Sequence, residues 1–107
     1  MSDAIGRLYE AVLARHGQNP ASSRTAKLLA AGRARMARKL GEEAIEVAID
    51  AARGDRAAVV SESADLIYHL VVLWSDMGIA PADVWGEMTR REAAQGIAEK
   101  LPKPAAA

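Results

Sequence analysis

Residues 57–75 read AAVVSESADLIYHLVVLWS, and Glu62 and Asp65 are the only formal charges in that stretch. A segment this long and apolar nearly all round its circumference is expected to be a helix in the middle of a bundle. Glu62, Asp65 and His69 stand at i, i+3 and i+7 and therefore share one side of it. A carboxylate held away from water must be paired or must bind a cation, because a lone buried charge is strongly destabilising. The pattern leaves two readings open, a structural salt bridge to Arg or Lys of a neighbouring helix and a metal site.

The rest of the chain supplies the neighbours. A first helix is expected at about 3–15, capped by Ser2 or Asp3, with Ile5, Leu8, Val12 and Leu13 on one side. After the loop Gly17-Gln18-Asn19-Pro20, Ser22 or Ser23 can cap a short helix that Gly32 interrupts. A long helix follows at 33–53, closed by Gly54; Asp55 then caps the 56–77 helix, which Gly78 stops. Pro81 opens the last helix, which is expected to end near 94–96, and the Pro- and Ala-rich tail from about 101 is expected to be flexible. No alternating β-branched run appears. The expected fold is all-α, a single domain over 1–107, built as a small helical bundle around a central antiparallel hairpin.

The 33–53 helix carries a second set of acids. With roughly 100° per residue, Glu42, Glu46, Glu43 and Asp50 fall within about a quarter turn, and Arg35 and Lys39 share that sector. Met36, Leu40, Ala44, Val47, Ala48 and Ala51 take the opposite side. An ordinary solvated face is one reading of this pattern. Against it, Glu42, Glu46 and Asp50 form an i, i+4 ladder of like charge, costing roughly 0.2–0.5 kcal/mol per pair unless a cation faces it. The tight Gly54-Asp55 connection makes the two helices an antiparallel hairpin. Glu46 and Glu62 lie eight residues either side of Gly54, and Glu43 and Asp65 lie eleven. The two pairs are thus level. Four carboxylates at one level, without a His or Cys ligand set, select Mg²⁺ or Mn²⁺ over Zn²⁺ and point to phosphate chemistry.

Composition narrows the remaining classes. With no Cys there is no disulfide, thiolate metal site or cysteine nucleophile. Fourteen Lys and Arg balance fourteen Asp and Glu, so no nucleic-acid partner is expected. The start, Met-Ser-Asp-Ala-Ile-Gly, lacks the basic and apolar regions of a signal peptide, and no uninterrupted apolar run reaches membrane-spanning length. A cytoplasmic protein without a membrane partner is expected. Trp74 and Trp85 read as packing anchors, and Tyr68 as a core or subunit contact.

The order E-E-x-x-E (Glu42, Glu43, Glu46) then E-x-x-D (Glu62, Asp65) resembles the signature of the MazG-like all-α nucleoside triphosphate pyrophosphatases. Within that group the chain is most similar to the phosphoribosyl-ATP pyrophosphatase family, through residues 38–55 (RKLGEEAIEVAIDAARGD), 62–74 (ESADLIYHLVVLW), 90–100 (RREAAQGIAEK) and the S-x-T and L-L-A-x-G elements at 23–32. It departs at Arg24, where an aromatic residue is common, and at 99–103. The resemblance implies Mg²⁺-dependent cleavage of phosphoribosyl-ATP to phosphoribosyl-AMP and pyrophosphate in histidine biosynthesis, by a homodimer whose subunits complete each other's bundles. A related enzyme acting on another nucleoside triphosphate, or a non-enzymatic helical interaction module, would share much of the pattern. Under the enzymatic reading Glu43, Glu46, Glu62 and Asp65 hold the metal, with Glu42 as the candidate base for the attacking water. Arg35, Lys39, Arg24 and Lys27 are candidate phosphate ligands, although Lys39 is equally placed to pair with Glu43. His69 is a further substrate-contact candidate, or a hydrogen-bonded residue of the bundle. Arg90, Arg91 and Lys100 enter only through the resemblance.

Overall fold

Asp3, Ser23 and Asp55 each accept a hydrogen bond from the backbone N–H three residues on, at 2.6, 3.1 and 3.1 Å, and so start three helices. In the computed structural model, which describes residues 3–95, these are α1 (Ala4–Leu13), α2 (Arg24–Ala30) and α4 (Arg56–Asp76). α3 (Arg33–Ala52) begins at Gly32, whose φ of 97° lets the chain turn sharply out of α2. α5 (Pro81–Gln95) completes the order. The described residues contain no strand, as expected of an all-α chain. The Ser2 cap, the tail from about 101 and Lys100 lie outside the described residues.

The hairpin turn is defined twice over. Gly54 sits at φ 71°, its N–H donates to the Ala51 carbonyl, and the Asp55 N–H donates to the Asp50 carbonyl. These are the two bonds of a Schellman closure, and the Asp55 side chain at once caps the next helix. We expect Asp55→Ala to cost about 1 kcal/mol. In a domain this small, thermal unfolding should register that as a drop of roughly 4–8 °C.

α3 and α4 pack most extensively against each other, and α1 lies on α4. Val12, Met36, Val71 and Val72 form the fully buried centre, with Leu8, Leu28, Leu29, Tyr68 and Trp74 packed around it. Arg33 reaches Asp76 at 2.8 Å and clamps the start of α3 to the end of α4. His16 donates from Nε2 to Ser75 Oγ (3.1 Å), whose own proton goes to the Val72 carbonyl, fixing the end of α1.

Two expectations need correction. α1 stops at Leu13, short of Arg15, because Arg15 and His16 donate to carbonyls three residues back, the tighter turn that ends a helix. α4 is not buried all round. Within one chain the core covers only its last turns, where Val71, Val72 and Ser75 are buried, while Val60 is 59% exposed. Ile67 on α4 and Ile45 and Ile49 on α3 are exposed as well. The reason is length and placement: α1 and α2, of ten and seven residues, are too short to cover the hairpin as far as Gly54, and α5 packs on α1. By length and composition α4 could cross a membrane. Its carboxylates at mid-helix and its pairing with charged α3 speak against that reading.

Candidate metal centre

The hairpin brings acids from both helices together. Carboxylate oxygens of Glu43, Glu62 and Asp65 lie within 4.8 Å of one another, and so do those of Glu46, Asp50 and Glu62. Glu62 belongs to both groups. The four acids singled out from the sequence therefore share one locality, and Asp50 joins them. Asp50 was legible as part of the like-charged ladder, but counting residues from Gly54 did not make it level with an acid on α4.

The electrostatics are those of an uncompensated anionic cluster. Glu62 is pushed above the usual carboxylate range, first by a proton-sharing hydrogen bond with Glu43, then by desolvation and the charges of Glu43, Asp65 and Asp50. Among the described residues no Lys or Arg forms an ion pair with Glu46, Asp50, Glu62 or Asp65. That argues against the structural salt bridge left open by the sequence.

The donor set suits a hard divalent cation. In an octahedron with metal–oxygen bonds of about 2.0–2.1 Å, neighbouring oxygens are about 3 Å apart and opposite ones about 4.2 Å. Oxygens already within 4.8 Å of each other need only small side-chain rotations to reach those separations.

The other candidate residues are more dispersed. Glu42 stands outside both acid groups, exposed, with Arg38 at 3.4 Å and Lys39 at 3.6 Å. Lys39 thus takes Glu42 rather than the Glu43 partner its spacing also allowed. Arg35 is exposed one turn earlier on α3. Arg24 and Lys27 are exposed on α2 and line an open depression with Pro20, Ala21, Ser22 and Ser23. Arg90 and Arg91 both hold Glu87, whose carboxyl they lower to about 2.

His69 comes nearest the acids. Its Nε2 is 4.0 Å from Glu43 Oε1, and its Nδ1 is buried without a hydrogen-bond partner among the described residues. Desolvation lowers its pKa, so the ring is neutral at pH 7 and meets Glu43 as a neutral imidazole. Tyr68 packs edge-on against it, with ring centroids 5.0 Å apart, and the Tyr68 hydroxyl hydrogen-bonds Thr25 Oγ1 at 2.6 Å. No periodicity in the sequence signals that link. Trp74 and Trp85 stack edge to face at 6.2 Å, as packing anchors do.

A family model described as phosphoribosyl-ATP pyrophosphohydrolase matches residues 5–92. The chain is 63% identical over 105 residues to phosphoribosyl-ATP pyrophosphatase 2 of Bradyrhizobium diazoefficiens, spanning 98% of this chain and 78% of that protein. It is 60% identical over 103 residues to the protein of that name from Rhodopseudomonas palustris, spanning 96% and 79% of the two chains. The phosphoribosyl-ATP pyrophosphatase of Azospirillum brasilense is 56% identical over 96 residues, spanning 90% and 86%. By its two acidic motifs, its helical hairpin and these relatives, the chain belongs to the phosphoribosyl-ATP pyrophosphohydrolase family.

Proposed function

We propose that this protein hydrolyses phosphoribosyl-ATP to phosphoribosyl-AMP and pyrophosphate, as a cytoplasmic enzyme of histidine biosynthesis. The observation that carries the reading is the convergence of carboxylates around Glu62 in a chain so similar to phosphoribosyl-ATP pyrophosphatases. Glu43, Glu46, Glu62 and Asp65, with Asp50, would hold Mg²⁺, or Mn²⁺ in its place. The ion, when bound, would supply charge neutralisation for the triphosphate.

The chain's own residues supply the rest. Arg35 and Lys39 on α3, and Arg24 and Lys27 on α2, bind phosphate oxygens. A phosphate arriving at Arg38 and Lys39 competes for the cations that now occupy Glu42. Glu42, so released, takes a proton from the attacking water. The water oxygen bonds to the α-phosphorus, the bridging bond from that phosphorus to the α–β oxygen breaks, and pyrophosphate leaves with the electron pair. His69, neutral at pH 7, contributes hydrogen bonding to the substrate rather than charge. The exposed apolar residues of α3 and α4 are covered by a second copy of the chain, so the working unit is a homodimer.

The test is a substrate panel. Pyrophosphate release should be fast with phosphoribosyl-ATP and slow with ATP, GTP, dCTP and dUTP. A preference for an ordinary triphosphate would keep the chemistry and move the substrate; no hydrolysis of any would return the chain to a helical interaction module. The role of Asp50 is checked separately. We expect Asp50→Asn to weaken Mn²⁺ binding, read by isothermal titration, by about 10-fold or more, the scale at which support of a metal site is felt. Unchanged affinity would remove Asp50 from the set.

A further inference from the structure

We propose that Thr25 and Tyr68 are a positioning pair that orients α2, and with it Arg24 and Lys27, relative to the acid-bearing α4. This rests on the reading that Arg24 and Lys27 bind substrate phosphates. α2 has seven residues, too few to be stable as an isolated helix, so its placement depends on what it touches. Its apolar contacts come from buried Ala26 and from Leu28 and Leu29, packed at the core. Apolar burial is non-directional and leaves a short helix free to roll on the surface beneath it.

The bond from Thr25 Oγ1 to Tyr68 OH, 2.6 Å and partly shielded from water, is the directional element. It fixes the rotation of α2 about its own axis. Thr25 lies between Arg24 and Lys27 in sequence and grips α4, while both cations remain exposed. On α4, Tyr68 is three residues beyond Asp65, and its ring rests on His69, which in turn faces Glu43. The pair thus sets the distance from the phosphate-binding helix to the carboxylates without itself touching either ligand.

Tyr68→Phe keeps the ring and removes only the hydroxyl; Thr25→Val keeps the shape and removes its partner. With phosphoribosyl-ATP as substrate, each should raise KM by about 3- to 10-fold, the range a net hydrogen bond covers. The double variant should be no worse than either single one, since both remove the same bond. The value of kcat should move by less than about twofold, and binding of Mn²⁺ alone, followed by electron paramagnetic resonance, should not change. A fall in melting temperature with KM unchanged would make the bond merely structural and overturn the proposal, as would additive effects of the two substitutions. Arg24→Gln/Lys27→Gln separates this failure from failure of the parent reading. If that variant raises KM and the Tyr68 and Thr25 variants do not, only the pair is refuted. If it leaves KM unchanged, α2 does not bind phosphate and both fall.

Discussion

Glu62→Gln is expected to lower pyrophosphate release from phosphoribosyl-ATP by at least about 10²- to 10³-fold, equivalent to the several kcal/mol that a cation's charge stabilisation supplies. Glu62 is the residue to choose because it alone belongs to both acid groups, so its loss disables both at once. Glutamine keeps the size of the side chain and one carbonyl oxygen, which separates loss of charge from loss of packing. Titration with Mn²⁺ should show affinity falling with activity. The metal-free protein should respond in the opposite sense. Glu62 ionises above its ordinary 4.5, first through its hydrogen bond with Glu43, then through desolvation and the opposing charges of Glu43, Asp65 and Asp50. A group whose folded-state pKa is raised contributes stability below its unfolded pKa, and that contribution is lost as pH rises through the raised value. Metal-free wild-type protein should therefore lose melting temperature on passing upward from about pH 4.5 through that value, and Glu62→Gln should lack this component. Unaltered activity and unaltered Mn²⁺ binding in the variant would sink the metal reading altogether.

What was legible in the sequence follows from which interactions are local. Gly54 and Asp55 specify the hairpin because a Schellman closure and an N-cap need only residues within one turn. Once the hairpin is given, residue counting places Glu43, Glu46, Glu62 and Asp65 near one another. Asp50 escaped that count because counting aligns Cα positions and ignores side-chain lean. Helical side chains tilt toward the N-terminus of their helix, so Glu62 leans toward Gly54 and comes within reach of Asp50. Glu42 shows the converse failure. It shares a sector with the other acids, yet Arg38 and Lys39 on its own helix hold it outside both groups. The Thr25–Tyr68 link joins residues 43 apart and leaves no periodic trace. The burial of α4 was misjudged for a different reason: apolar composition says that a face must be covered but not by which chain.

That uncovered face carries the second large expected effect. Val60 and Ile67 lie seven residues apart, hence on one side of α4, and both are exposed in the single chain. Burying a Val or Ile contributes roughly 1.5–3 kcal/mol, and in a two-fold dimer each residue counts twice. Val60 is 59% and Ile67 38% exposed, so Val60→Glu with Ile67→Glu should remove roughly 3–6 kcal/mol of apolar association free energy, and desolvating the new carboxylates adds several kcal/mol more. That is enough to make a nanomolar dimer dissociate at micromolar concentrations. Sedimentation equilibrium should report a dimer for the wild type and a monomer for the variant. The wild-type melting temperature should rise with protein concentration, while that of the variant should be lower and independent of it. The clustered acids Glu62 and Asp65 lie on a different side of α4, so a change in oligomeric state is separable from direct damage to the acid cluster. If the doubly substituted chain still sediments as a dimer with wild-type stability, the α4 face is not the subunit contact, and the exposure of Val60 and Ile67 has another cause.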